Sequence, residues 1–199
     1  GFEALISNTT GTSNTAIGKA SLTDNTTGDF NTAVGHGALK DNLDVDNNTA
    51  VGYLSLGDNT TGASNTAVGS NTLLANTIGG CNVAIGESAM CDNTEGLRNV
   101  AIGQNAMCDN STGDGNIAVG FKSLAKNTTA SCNIAIGKSA LSLNQTGTAN
   151  TAVGTLALTA NTASNNTAVG YLSLTANTTG ANNVAIGKDS MDSNTTGSA

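Results

Sequence analysis

The stretch "NTAVGYLSLGDNTTGASNTAVG", from Asn48 to Gly69, ends on the same five letters with which it begins. The two copies start seventeen residues apart, and the motif Asn-x-Ala-[Val/Ile]-Gly recurs along the chain with one step of sixteen. Its first residues are Asn14, Asn31, Asn48, Asn65, Asn82, Asn99, Asn116, Asn133, Asn150, Asn166 and Asn183. A fixed short period of this kind is typical of a repeat architecture.

We number the positions of each repeat from the motif asparagine, which is position 0. Position 2 is always Ala, position 3 is Val or Ile, position 4 is Gly, position 8 is Leu or Met, and position 11 is Asn. The pattern extends from Gly1, at position 4 of a partial copy, to Ala199, at position 16. Residues 1–199 are therefore predicted to form one repeat array. We expect a segment of a longer fibre protein, because neither end carries the polar cap that terminal solenoid repeats need.

The short period favours an all-β fold, a parallel β-solenoid. Helix-pair repeats need more than thirty residues, whereas positions 0 to 3 alternate as a strand does and Asn-Thr-Thr-Gly at positions 11 to 14 is typical of a turn. Each repeat is predicted to be one coil with two short strands and two turns. About twelve coils spaced about 4.8 Å apart give a rod of roughly 55 Å.

The alternation of positions 0 to 3 also predicts which side chains lie inside the coil. Val or Ile at position 3 is expected to meet Leu or Met at position 8 inside the coil, and position 1 shares the face of position 3. Ala at position 2 is then expected to point outward, where its invariance suggests a closely approaching neighbour. The asparagines at positions 0 and 11 are predicted to form ladders in which each amide bonds the asparagine of the next coil.

Composition excludes several functional classes. The chain carries 7 Lys and Arg residues against 14 Asp and Glu, and the cations are scattered, so a nucleic-acid partner is not expected. No apolar run reaches the length that spans a membrane, so no membrane insertion of this segment is expected. No set of catalytic, metal-binding or cofactor-binding residues recurs, and the interpretation is therefore non-enzymatic, with no cofactor.

The repeats "NNVAIGKDS" (182–190), "CNVAIGESA" (81–89) and "RNVAIGQNA" (98–106) resemble the head repeats of trimeric autotransporter adhesins, roughly Ser-Val-Ala-Ile-Gly-x-x-Ser/Ala. The longer form "NTAVGYLSLTANTTGANN" (166–183) is similar to repeats of phage and viral fibre proteins. The resemblance implies a left-handed parallel β-roll and a homotrimer with three rolls packed around one axis. Seventeen residues exceed the roughly fourteen of the adhesin heads, which implies a larger outer turn.

Four features of the sequence are candidate functional sites, and each also has a plainer structural interpretation. The single His36 is at position 5 and is interpreted as a surface residue. "DNLDVDNN" (41–48) offers oxygens of Asp44, Asp46 and Asn47 to Ca²⁺, but it lacks the spacing of a calcium loop and is interpreted as a solvated turn variant. The sequons at Asn8, Asn25, Asn59, Asn127 and Asn177 are interpreted as ladder residues. The fourth feature is a set of aromatic residues at position 5, interpreted as scattered surface residues that do not form one site: Phe2, Tyr53, Phe121 and Tyr171.

The cysteines fall into two pairs. Cys91 and Cys108 share position 9 in adjacent coils, which places their Cα atoms about 5 Å apart, within reach of a disulfide. The sequence leaves open whether they are bonded. Cys81 and Cys132 share position 16 but are three coils apart, so they are not expected to bridge within one chain.

These observations favour a structural or adhesive fibre segment, extracellular, on a cell or virion surface. It would associate with itself as a homotrimer and attach to a host-surface protein or glycan. The first alternative is a homopolymeric extracellular filament. The second is an ice-binding β-solenoid, suggested by the threonines at positions 12 and 13 but weakened by the residues that interrupt those rows.

Overall fold

A computed structural model describes residues 1–199 of the chain as a stack of coils with one strand in each complete repeat. The eleven strands form one parallel sheet in sequence order, and there is no helix, hence none that could cross a membrane. The strands are β1 (Thr15–Ile17), β2 (Thr32–Val34), β3 (Thr49–Val51), β4 (Thr66–Val68), β5 (Val83–Ile85), β6 (Val100–Ile102), β7 (Ile117–Val119), β8 (Ile134–Ile136), β9 (Thr151–Val153), β10 (Thr167–Val169) and β11 (Val184–Ile186).

The register of the sheet confirms the predicted parallel β-solenoid. Val34 pairs with Val51 and Val51 with Val68, so like residues lie in successive layers. The pairing crosses the short sixteen-residue repeat without a slip, because Ala152 still pairs with Ala168. Each repeat is therefore one coil.

The second strand predicted for each coil is absent, and a turn replaces it. Residues at positions 6 and 8 have positive φ, as at Lys122 (54°) and Leu124 (50°), so the backbone cannot extend there. Coils still bond to each other across this turn, since Leu124 N donates to Ala140 O at 3.0 Å. The positive φ also explains why position 8 is Leu or Met, because a β-branched side chain is strongly disfavoured in that conformation.

The predicted interior was wrong about which strand face is buried. The position-2 alanines from Ala33 to Ala168 are fully buried and pack with the Leu and Met residues of position 8. The aliphatic residues of position 3 point outward, as Ile102 and Ile136 do with 37% and 40% exposure. The physical reason is the limited space inside the coil. The long side chain at position 8 and the small residue at position 7 leave room for only a methyl group at position 2.

The glycine at position 4 closes the end of each strand. Gly103 has a φ of 131°, and a Cβ added there would lie 2.7 Å from the carbonyl carbon and oxygen of Gly120 in the next coil. Both the conformation and the close stacking therefore require glycine.

The amide ladder predicted at position 11 is confirmed. Asn110 Nδ2 donates to Asn93 Oδ1 at 2.7 Å, and Asn127 Nδ2 donates to Asn110 Oδ1 at 2.8 Å. Each Nδ2 also bonds a carbonyl of its own coil, as Asn110 does with Gly113 O at 3.1 Å. The ladder is buried, so an asparagine at its centre has no water to replace a lost partner.

The ladder predicted at position 0 is built differently from the expectation. Asn99 Oδ1 accepts the backbone N–H of Asn116 at 2.8 Å, and Asn99 Nδ2 donates to Gly113 O of its own coil at 2.8 Å. These side chains therefore bond mainly to backbone, tying the start of each coil to its final turn and to the next layer. A direct amide bond is added only at some steps, such as Asn150 to Asn133 at 3.1 Å.

The sixteen-residue coil loses its residue at position 13 of the turn. Asn161 Nδ2 reaches Ala163 O two residues later, whereas the equivalent bond elsewhere spans three residues. The position-11 ladder breaks here, and Asn144 Oδ1 is left buried without a partner. The core and the sheet absorb the deletion because the turn alone is shortened.

Candidate functional site

The outward face of the sheet, formed by positions 1 and 3 of strands β1 to β11, is the most extended apolar surface of the molecule. Each strand places two side chains on it, and all of them are Thr, Val or Ile. Its central part, strands β5 to β8, is entirely aliphatic. With strands spaced about 4.8 Å apart, the face is a strip about 50 Å long.

This face lacks the covering that an all-parallel sheet normally has. The inner face packs on the Leu and Met column, but Ile85, Ile117 and Ile136 are 37% to 40% exposed on the other side. Parallel sheets occur almost only with both faces buried. No charged residue lies on the strip to oppose close approach, so its chemistry suits contact with another apolar surface.

The structure places His36 in a row of position-5 side chains rather than in a reactive cluster. Its ring stacks on that of Tyr53 with centroids 5.5 Å apart, and Lys19 Nζ lies 6.0 Å from the centroid of Phe2. These four residues occupy successive coils. The four side chains thus contact each other in two pairs, and Phe2 and Tyr53 remain three coils apart.

The three calcium candidates of "DNLDVDNN" do not form a joint site. Both Thr26 and Thr27 donate their hydroxyls to Asp44 Oδ1, while Asp46 Oδ1 accepts the backbone N–H of Asp29 at 2.7 Å. The hydroxyl of Thr26, followed by that of Thr27, lowers the pKa of Asp44 below its ordinary value. The carboxylates thus bond to the preceding coil, which agrees with a turn variant.

The cysteines follow the pairing that the spacing allows. Cys91 and Cys108 are joined by a disulfide, with their Cα atoms 5.0 Å apart, so the bond staples two adjacent coils. Cys81 and Cys132 are free and exposed, so the prediction that they do not bridge within one chain is confirmed. Asp92 lies beside the disulfide, but the sulfurs are bonded to each other and leave no thiolate for a metal ion.

The sequons and the threonine row at position 12 are structural. Asn25, Asn59, Asn127 and Asn177 are fully buried in the position-11 ladder, so a glycan would have to displace it. At position 12, hydroxyls donate to the carbonyl of the next coil, as Thr60 Oγ1 does to Thr77 O at 3.0 Å. This use of the hydroxyls weakens the ice-binding alternative, which needs a regular row of free threonines.

The one concave site of the structure was missed by sequence reasoning. A groove of about 420 Å³ crosses three coils, with residues of positions 6 and 10 as its walls and small residues of position 9 as its floor. The residues that line it are Asn105, Cys108, Asp109, Lys122, Ala125, Lys126, Ser142 and Leu143. No single motif contains them; the available signal was the replacement of Asp at position 10 by Lys126.

Comparisons with models of protein families, with curated proteins and with solved structures found no match.

Proposed function

We propose that this chain is a non-enzymatic segment of an extracellular fibre and that it assembles as a homotrimer through the outward face of its sheet. The observation that carries the proposal is the uncovered aliphatic strip on strands β5 to β8. The alanine column, first expected to contact a neighbour, is buried inside each coil and has no part in it.

The repeat favours another copy of the chain as the partner. A surface that matches this strip must present apolar side chains every 4.8 Å or so over about 50 Å. A second β-solenoid of the same period meets this condition along its whole length. The strip has a projected area of roughly 500 Å², and the side-chain surface is larger, which approaches the roughly 800 Å² that each partner buries in a specific interface.

Three copies, and an attachment role, are supported by the resemblance of the repeats to adhesin heads and viral fibres. A rod of stacked coils held by buried amide ladders is a stiff spacer with a long, uniform surface. The disulfide between Cys91 and Cys108 supports an oxidising compartment outside the cell. Attachment to a host-surface protein or glycan is part of the proposal.

Light scattering on the purified chain tests the assembly. The expected mass is three times the 19.5 kDa of one chain. Replacing two exposed strip residues, Ile102→Lys and Ile136→Lys, is expected to give a monomer with an unchanged circular dichroism spectrum, because both side chains are already solvated in the single coil stack. Thr129→Lys, an exposed turn residue at position 13, is the matched control and should remain trimeric.

The outcomes separate the competing interpretations. A wild-type mass equal to one chain at high protein concentration, or a trimer that survives both lysines, would contradict the proposal. A mass that grows continuously with concentration would favour the homopolymeric filament. Thermal hysteresis in the same samples would favour ice binding.

A further inference from the structure

The groove across three coils, defined above, stands out in charge as well as in shape. It lies on positions 6, 9 and 10, outside the strands, so an assembly through positions 1 and 3 does not use its residues. The chain is acidic overall, with a net charge of −7.

The groove overlaps the one positively charged stretch on this side of the rod. At positions 5, 6, 9 and 10, the coils that begin at Asn116 and Asn133 carry Lys122, Lys126 and Lys138 without an acidic residue. Every other complete coil is neutral or negative at these four positions when histidine is taken as neutral. An anionic ligand therefore meets attraction here and repulsion or neutrality elsewhere along the row.

The ammonium groups of Lys122 and Lys126, on the walls of the groove, have different partners. Lys126 Nζ donates to Asp109 Oδ2 at 2.7 Å, and this bond keeps the pKa of Lys126 above its ordinary value. Lys122 Nζ has no carboxylate partner and lies 5.3 Å from the centroid of the Phe121 ring. One ammonium group is thus already paired, while the other is available to an incoming anion.

The remaining groove surface is suited to a sugar ring. Asn105 and Ser142 offer an amide and a hydroxyl, which match the hydroxyl groups of a saccharide. Leu143, 52% exposed, offers apolar surface to the carbon–hydrogen face of a ring. Phe121, 40% exposed, lies next to Lys122 in the chain, outside the groove lining, and its ring offers a second apolar surface beside it. A volume of about 420 Å³ is within the range of small-ligand sites, roughly 300–1,000 Å³.

We infer that this groove binds an acidic saccharide, a short sugar chain that carries carboxylate or sulfate groups. Lys122 and Lys126 contact the anionic group, while Phe121 and Leu143 pack against the ring. The inference rests on the attachment role proposed above and gives that role a location. Three chains in one assembly would present three such grooves, so a weak single site would gain from multivalent binding.

Calorimetric titration with a heparin-derived tetrasaccharide tests the inference on the whole chain. We expect saturable binding that weakens as salt rises, and at least a tenfold loss of affinity in Lys122→Ala/Lys126→Ala. Lys19→Ala is the matched control, because Lys19 also lies over an aromatic ring but far from the groove. Asp109→Asn should increase affinity, since it releases Lys126 from its ion pair.

Three probes define the ligand class. A neutral tetrasaccharide of glucose, inorganic sulfate alone and a hexaglutamate peptide should each bind more weakly than the acidic tetrasaccharide. Equal binding of sulfate or of hexaglutamate would overturn the assignment to a saccharide. Undetectable tetrasaccharide binding at millimolar concentration, or full binding by the double lysine variant, would overturn the site itself. The mass measured by light scattering tests assembly independently of all these results.

Discussion

Replacing Asn110 by alanine should cost far more stability than the same replacement at the last rung of the position-11 ladder. Asn110 is fully buried at the centre of the position-11 ladder. Its amide donates to Asn93 Oδ1 and Gly113 O and accepts from Asn127 Nδ2, so three hydrogen bonds disappear together. Asn93 Oδ1 loses its donor and has no water to replace it.

The magnitude follows from these bonds. Each contributes about 1 kcal/mol net, and a buried acceptor left without a donor costs about 1–3 kcal/mol. We therefore expect Asn110→Ala to lower the free energy of unfolding by about 4–6 kcal/mol. Asn194→Ala is the matched control at the last rung, where the side chain is only half-buried and water at the end of the stack can replace the lost partners. About 1 kcal/mol is expected there.

Urea unfolding followed by circular dichroism, at one fixed protein concentration, measures both variants. Hydrogen exchange adds a local assay, because amides in the coils next to residue 110 should lose protection first. If Asn110→Ala and Asn194→Ala cost the same, the claim that the buried ladder stabilises the stack is wrong.

Three further results are expected. Reduction of the Cys91–Cys108 disulfide should lower stability by about 3 kcal/mol, the value for a closed loop of this size, and a variant with serine at both positions should not respond to reductant in thermal melts. The pKa of Asp44 should lie below its ordinary value of 3.8 in an NMR titration. Because the folded-state value is lowered, the stability it contributes is present above the unfolded value and is lost as pH falls, and Asp44→Asn should abolish that loss. Gly103→Ala should cost about 3 kcal/mol or more because its Cβ would overlap the next coil. Gly115→Ala meets nothing within 4 Å and should cost only the strain of an alanine at its left-handed φ of 62°, about 1–2 kcal/mol; equal melting temperatures of the two variants would refute the stacking argument.

The period of the sequence was enough to predict the stack, its register and the position-11 ladder. Alternation was not enough to assign the faces, because it separates positions 2 and 3 without saying which is inside. The larger aliphatic residue was assigned to the interior, although the space left beside position 8 admits only a methyl group.

The sequence does contain a pattern that argues against the second strand. No residue with positive φ in this chain is Val, Ile or Thr, although Thr is abundant elsewhere. Positions 6, 8 and 16 thus lack β-branched residues in every coil, as at Leu54, Met90 and Arg98. This pattern indicates a left-handed backbone at three fixed positions, where a strand is impossible. The groove could not be predicted from the sequence, because it is formed by side chains that three successive coils bring together.

The buried amide columns have a consequence for how this rod responds to temperature. Exposing apolar surface raises the heat capacity on unfolding, whereas exposing polar surface lowers it. The interior of each coil holds one Leu or Met, alanine methyl groups and two asparagine amides, so it is more polar than an ordinary core. A single coil stack of this kind should show a heat-capacity increment below the usual value of roughly 12–15 cal/mol/K per residue. Its curve of free energy against temperature would then be broad and shallow, and the rod would stay folded over a wide range of temperature.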